Sequence, residues 1–161
     1  MNIELFSDGL DKRDRKRHTP RQAARGIIVS HDQVLLLYYP ALDIYLFPGG
    51  GIENDESLVA CLKREVLEET GYSISTFDQK VTVTEYFLDS TWQNTYFVCT
   101  LDEKTPRISP TLTAEEKTYG DIQYLWKDKN DVLDLLDSYE STNIYGSNIM
   151  EREFIGFFNS L

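Results

Sequence analysis

Ile44-Tyr45-Leu46-Phe47-Pro48-Gly49-Gly50-Gly51 leads, after a short polar stretch, into Val59-Ala60-Cys61-Leu62-Lys63-Arg64-Glu65-Val66-Leu67-Glu68-Glu69-Thr70-Gly71. The first half is an extended apolar run that ends on three consecutive glycines. Such a triplet suits neither a central strand nor a helix interior. It marks a backbone that turns sharply or lies closely against something. The second half has helical spacing. Asn54 or Asp55 is placed to cap a helix from Glu56 to Thr70, and Gly71 to stop it. At about 100° per residue, Val59, Leu62 and Val66 form an apolar stripe, and Glu65, Glu68 and Glu69 fall on an adjoining arc about 100° wide. One face of the helix can dock on a sheet while the next presents carboxylates.

Outward from this unit the pattern is β. Gly26-Ile27-Ile28-Val29 and Val34-Leu35-Leu36-Leu37-Tyr38-Tyr39 flank the turn Ser30-His31-Asp32-Gln33 as in a hairpin. Further strands are expected at 81–88 and 95–101, and at Ile122-Gln123-Tyr124-Leu125-Trp126. Residues 102–120 read as a long polar loop, and helices are expected at 129–137 and 149–159. Residues 1–20 read as a polar, basic, partly ordered lead-in, which leaves a single domain over 21–161. Strands interrupted by one strong helix and closed by others point to an α/β fold, a mixed sheet with helices on both faces.

Composition narrows the function classes. A chain of 161 residues is close to one domain, and surface scaling has it bury roughly 70% of its extended area, enough for a core without staples. Cys61 and Cys99 lie in apolar contexts and read as small buried hydrophobes. The start Met-Asn-Ile-Glu-Leu has no basic region followed by an apolar run, so no signal peptide is expected. No stretch approaches the length that spans a bilayer, so no membrane partner is expected and the cytoplasm is the expected compartment. The net charge of −11 is uneven: residues 1–25 carry +3 and the remainder −14. So acidic a body repels a phosphate polymer, and no nucleic-acid polymer is expected as a partner. A small anionic ligand is compatible if metal ions bridge the two. His18 and His31 lie in the basic arm and a turn, and no Ser-His-Asp, Cys-His or zinc set can be assembled.

The crowded carboxylates carry the chemistry. Like charges at i,i+3 and i,i+4 repel by a few tenths of a kcal/mol each. A hard divalent cation with oxygen ligands, Mg2+ or Mn2+, relieves that repulsion; a solvated acidic face relieved by Lys63, Arg64 and water is the alternative. The preceding glycines can bring backbone carbonyls to the same ion, or let a phosphate approach closely.

Taken together, Gly50, Glu56, Arg64-Glu65-Val66-Leu67-Glu68-Glu69 and Gly71-Tyr72 closely resemble the Nudix box, G-x5-E-x7-R-E-U-x-E-E-x-G-U, where U is a bulky aliphatic. Tyr72 in place of the last aliphatic is the one departure. The resemblance implies an α/β/α sandwich in which the box forms loop-helix-loop, and a metal-dependent pyrophosphohydrolase acting on a nucleoside diphosphate linked to another group. It implies Glu65 and Glu69 as main metal ligands, Glu68 as a third ligand or bridge, and the Gly49 carbonyl as a backbone ligand. Glu56 is expected to reach the metal shell indirectly or to pair with Arg64, and Arg64 to orient carboxylates. The general base varies in this family. Glu116, Glu115 and a box glutamate such as Glu68 all stand as candidates.

The substrate is less legible. Arg21 and Arg25 are candidate phosphate contacts, and Gly50 and Gly51 candidate points of close approach. Tyr86, Phe87, Trp92, Tyr96 and Trp126 are candidates for stacking a base. The markers of the NADH, ADP-ribose, dinucleoside polyphosphate and coenzyme A groups are missing; Phe87 and Leu88 stand where two of them would fall. By elimination a nucleoside triphosphate or related small nucleotide is expected. The alternative is an inactive nucleotide-binding or regulatory module, though such a protein is expected to lose box carboxylates or the arginine. Monomer and homodimer both stay open; the apolar segment 149–158 is expected to pack on its own domain.

Overall fold

A computed structural model describes residues 1–7 and 9–161; Asp8, one of the acids counted in the N-terminal stretch, lies outside them. The strands are β1 (Asn2–Phe6), β2 (Arg21–Ser30), β3 (Gln33–Tyr39), β4 (Ile44–Leu46), β5 (Gly49–Gly51), β6 (Ile74–Tyr86), β7 (Thr91–Leu101) and β8 (Gln123–Asp128). The helices are α1 (Leu58–Thr70), α2 (Lys129–Ser138) and α3 (Gly146–Phe158).

The sheet is mixed. β1 lies parallel to β6, β6 and β7 form an antiparallel hairpin, and β7 lies parallel to β2. Beyond β2 the sheet divides: its start pairs with β5 and its end with β3, which also carries β4 and β8. Alternate residues then serve opposite layers. Ala24, Ile28, Leu35, Leu37 and Tyr39 pack with Cys61, Leu62 and Val66 of α1. Ile27, Val34 and Leu36 pack with Val132 and Leu136 of α2 and Met150 and Phe157 of α3. With both faces covered, β3 reads as a continuous apolar run rather than an alternating one. This is the expected α/β/α sandwich, and α3 covers its own domain as expected.

Four expectations are corrected. The lead-in is partly a strand: Asn2–Phe6 joins the sheet edge, with the Phe6 ring stacked on Tyr86 at 4.7 Å. Ile3 and Leu5 alternate and pack on the core, but a five-residue run beside a basic polar stretch is too short to stand out. The helix cap is Ser57, whose hydroxyl accepts the Ala60 N–H at 3.1 Å; Asn54 and Asp55 instead hold the left-handed turn before it, at φ +48° and +58°. β6 and β7 begin well before residues 81 and 95; the added part of β6 is exposed at Ser75–Gln79 and that of β7 is mostly polar, so neither shows apolar alternation. The glycines form the short strand β5, at the place where the sheet divides rather than in a central ladder.

Beneath α3 lies a buried charge network that no local pattern announced. Arg152 donates to Glu153 at 2.6 Å and to Glu85 at 3.4 Å. Glu153 also accepts the Tyr96 hydroxyl and the Phe47 N–H, both at 3.1 Å. Burial pushes the Glu85 carboxyl up, opposed by Arg152. Removing the arginine leaves two acids without their counter-charge. Arg152→Met is expected to cost about 3–5 kcal/mol in urea denaturation; a loss under about 1 kcal/mol would contradict this account of the layer.

Candidate active site

α1 meets the sheet where β5 lies on β2, and the glycines are what allow the contact. Gly49 sits at φ +148°, and a Cβ there would stand 2.0 Å from the Ala24 carbonyl oxygen. A Cβ on Gly50 would stand 2.3 Å from a Glu65 carboxylate oxygen. Glutamates of the helix therefore lie directly against bare backbone.

Glu69 is 5% exposed. Its carboxylate accepts the Gly49 N–H at 2.7 Å and the Tyr39 hydroxyl at 2.8 Å. Burial outweighs these bonds and pushes its pKa up to about 8. Glu65 is 8% exposed; burial raises it too, opposed by Arg64. The reading of a wholly solvated acidic face therefore fails for these two. Glu116 arrives from the far loop, on a single 3-10 turn at Glu116–Tyr119. One oxygen each of Glu65, Glu69 and Glu116 lie within 4.8 Å of one another. Three hard oxygen donors, two of them buried, fit a divalent cation; the third is Glu116, expected as a general base, and not Glu68, expected as the third ligand.

Arg64 organises the rim. It donates to Glu56 at 2.5 Å, Glu65 at 2.8 Å, Glu68 at 3.2 Å and the Gly51 carbonyl at 3.2 Å. Glu56 thus takes the pairing alternative, ahead of the helix start. Glu68 is half-exposed and held by Arg64, outside the close trio. Glu115 is exposed, and its carboxylate accepts the Tyr119 hydroxyl at 2.5 Å. Arg25 donates to the Gly49 carbonyl at 2.8 Å and to Asn94 at 3.3 Å. The expected backbone ligand thus has one of its two lone pairs engaged by Arg25. Arg21 lies over the Trp92 ring at 4.6 Å and close beside Gly51. The Gly50 carbonyl accepts the Cys61 thiol at 3.3 Å. Both cysteines are free and buried, and burial raises their pKa values to about 11 at Cys61 and about 12 at Cys99.

Sequence reasoning missed Tyr39 and Asn94. Tyr39 stood in an apolar strand and Asn94 in a polar stretch, and only the pairing of distant strands reveals their partners. A cavity of about 440 Å³ opens beside Arg25, lined also by Glu85, Phe87, Trp92, Tyr145 and Arg152. Of the aromatic candidates, Phe87 and Trp92 line it. Tyr86 stacks on Phe6, Tyr96 is core, and Trp126 packs edge-on against Tyr72.

Comparison with known proteins bears on the family and the fold. The NUDIX domain family model matches residues 20–143. The structure of a mutator MutT protein from Bacillus halodurans is 31% identical, with a TM-score of 0.55 over 71% of this chain and 72% of that one. A NUDIX hydrolase from Nitrosomonas europaea is 19% identical, with a TM-score of 0.58 over 86% and 90%. A UDP-X diphosphatase is 18% identical, with a TM-score of 0.58 over 87% and 62%. These last two share the fold. No curated relative matches the sequence.

The raised Glu69 pKa has a consequence for stability. Between the ordinary value of 4.5 and about 8, the folded metal-free protein keeps a proton that the unfolded chain has released. Its stability is therefore expected to fall as pH rises through that window. Melting curves of metal-free protein should show this decline, and Glu69→Gln should flatten it; an equally steep decline in the variant would contradict the assignment.

Proposed function

The chain belongs to the NUDIX family of hydrolases, and on that premise we propose that it cleaves a phosphoanhydride bond in a nucleoside diphosphate linked to another group. A nucleoside triphosphate or related small nucleotide fits best. The observation that carries this reading is the convergence of Glu65, Glu69 and Glu116, from two distant segments, within 4.8 Å of one another.

Glu65, Glu69 and Glu116 would hold Mg2+ or Mn2+, with the second lone pair of the Gly49 carbonyl in reach. A bound divalent cation neutralises diphosphate oxygens and acidifies a water for in-line attack. Glu116 supports the role of general base better than Glu115 does. One of its oxygens stands with Glu65 and Glu69, where a metal-bound water would lie, whereas Glu115 is not part of that cluster. Arg64 orients the rim carboxylates through its bonds to Glu56, Glu65 and Glu68. Arg25 stands between the glycine strand and the cavity, where it can meet a phosphate. Phe87 and Trp92 offer faces on which a base can stack.

Purified protein with Mg2+ or Mn2+ should release phosphate or diphosphate from at least one of a panel of nucleoside triphosphates, nucleotide sugars, ADP-ribose and dinucleoside polyphosphates. Glu69→Gln should lower turnover more than about 100-fold in a folded protein, and Glu116→Gln by about 100-fold. Glu115→Gln should stay near wild type. Unchanged turnover in Glu69→Gln would refute the metal assignment, and loss in Glu115→Gln but not Glu116→Gln would transfer the base.

A further inference from the structure

The geometry points to Arg107 as a positioning residue: clamped between the rings of Tyr72 and Tyr124, it docks the 102–115 loop on the end of α1 and so sets Glu116 opposite Glu65 and Glu69. This rests on the reading of Glu116 as part of the metal-binding trio.

The last carbonyls of a helix lack partners within it. In α1 each is taken from outside. The Glu68 carbonyl accepts the Thr111 N–H at 2.7 Å, and the Glu69 carbonyl accepts the Tyr124 hydroxyl at 2.8 Å. The Thr70 carbonyl accepts Arg107 Nε at 2.8 Å, and the Gly71 carbonyl accepts the Ile108 N–H at 2.9 Å. The loop is thus bonded to the very turn that carries Glu68 and Glu69.

Arg107 fixes this junction from both sides. Its guanidinium lies 4.7 Å from the Tyr72 ring centre and 5.1 Å from that of Tyr124. A planar cation between two aromatic faces is a pairing that an ammonium reproduces poorly. Tyr72 is the one position at which the chain departs from the box pattern, and here its ring forms one wall of the clamp. An aliphatic side chain would leave Arg107 a single wall.

The docked segment reaches Glu116 through a stiff turn. The Thr113 N–H donates to the Glu116 carboxylate at 2.6 Å, and the Glu116 N–H donates to the Thr113 hydroxyl at 3.2 Å. That reciprocal pair fixes the backbone as a capping box does. Downstream, Tyr119 rests edge-on against Tyr39 at 6.4 Å. Tyr39 is itself the partner of Glu69. Glu116 is therefore held between two anchors, each fastened to Glu69 or its neighbours.

The test uses the full-length protein and two readouts: amide hydrogen exchange at Ile108 and Thr111, and the Kd for Mn2+ alone by electron paramagnetic resonance. Arg107→Ala should speed exchange at both amides and weaken Mn2+ binding about tenfold or more. Arg107→Lys should do the same, because it keeps the charge without the planar fork. Tyr72→Phe keeps the wall and should match wild type, whereas Tyr72→Ala should follow Arg107→Ala. Glu116→Gln should weaken Mn2+ comparably, and adding Arg107→Ala to it should cost nothing further, since both act through one carboxylate. Additive losses, or wild-type Mn2+ affinity in a folded Arg107→Ala protein, would overturn the clamp. Failure of the wild-type protein to bind Mn2+ would instead overturn the metal site. In that case exchange alone decides the clamp, and unchanged protection in Arg107→Ala would overturn it.

Discussion

The structure turns on one contact, the Glu69 carboxylate pressed against the Gly49 N–H with almost no access to water. Burying an acid is unfavourable unless something balances it. Two hydrogen bonds offset part of the cost, and burial still pushes the carboxyl up to about 8. The glycines serve the same close packing of helix and sheet. Any side chain at 49 or 50 would collide with the Ala24 carbonyl or the Glu65 carboxylate. The site stores a charge imbalance that a divalent cation is suited to correct.

The rest of the sandwich holds that contact in place. α1 lies on the sheet through Leu62 and Val66, and β2 divides its pairing so that β5 lies beside the helix. A polar chain runs from the opposite layer to the same point. Arg152 meets Glu85, Asn94 donates to Glu85 at 3.0 Å, Arg25 donates to Asn94, and Arg25 reaches the Gly49 carbonyl. The helix that closes the far face is thereby coupled to the glycine strand, and the cavity opens along this path. Side chains that orient others in this way are as much part of the site as the carboxylates that would touch an ion.

How much of this was legible follows from how local each signal is. Glu65 and Glu69 lie one helical turn apart, so spacing alone put them on one arc. Gly49 and Gly50 announced a close approach, though not which atoms would approach. Glu116 was legible only as one of two candidate loop glutamates, beside Glu115, because its place depends on a junction between the loop and α1. Tyr39, Asn94, Glu85 and Arg152 carried no local mark, since each finds its partner across strands or layers. Ser57 is the cap although Asn54 and Asp55 have the same capping chemistry, because those two tolerate left-handed backbone and form the turn before the helix. The sheet layers were readable from apolar runs; β1, with only Ile3 and Leu5 facing the core, is too short to stand out, and the first half of β6 is solvent-facing and shows no alternation.

The most direct measurement is anomalous diffraction at the manganese edge from crystals of the wild-type protein grown with saturating Mn2+. The account predicts a peak within coordination distance of Glu65, Glu69 and Glu116 together, at about 2.0–2.2 Å from at least two of their oxygens. A peak bound elsewhere, or none at saturating Mn2+ with the three carboxylates still converging, would contradict it.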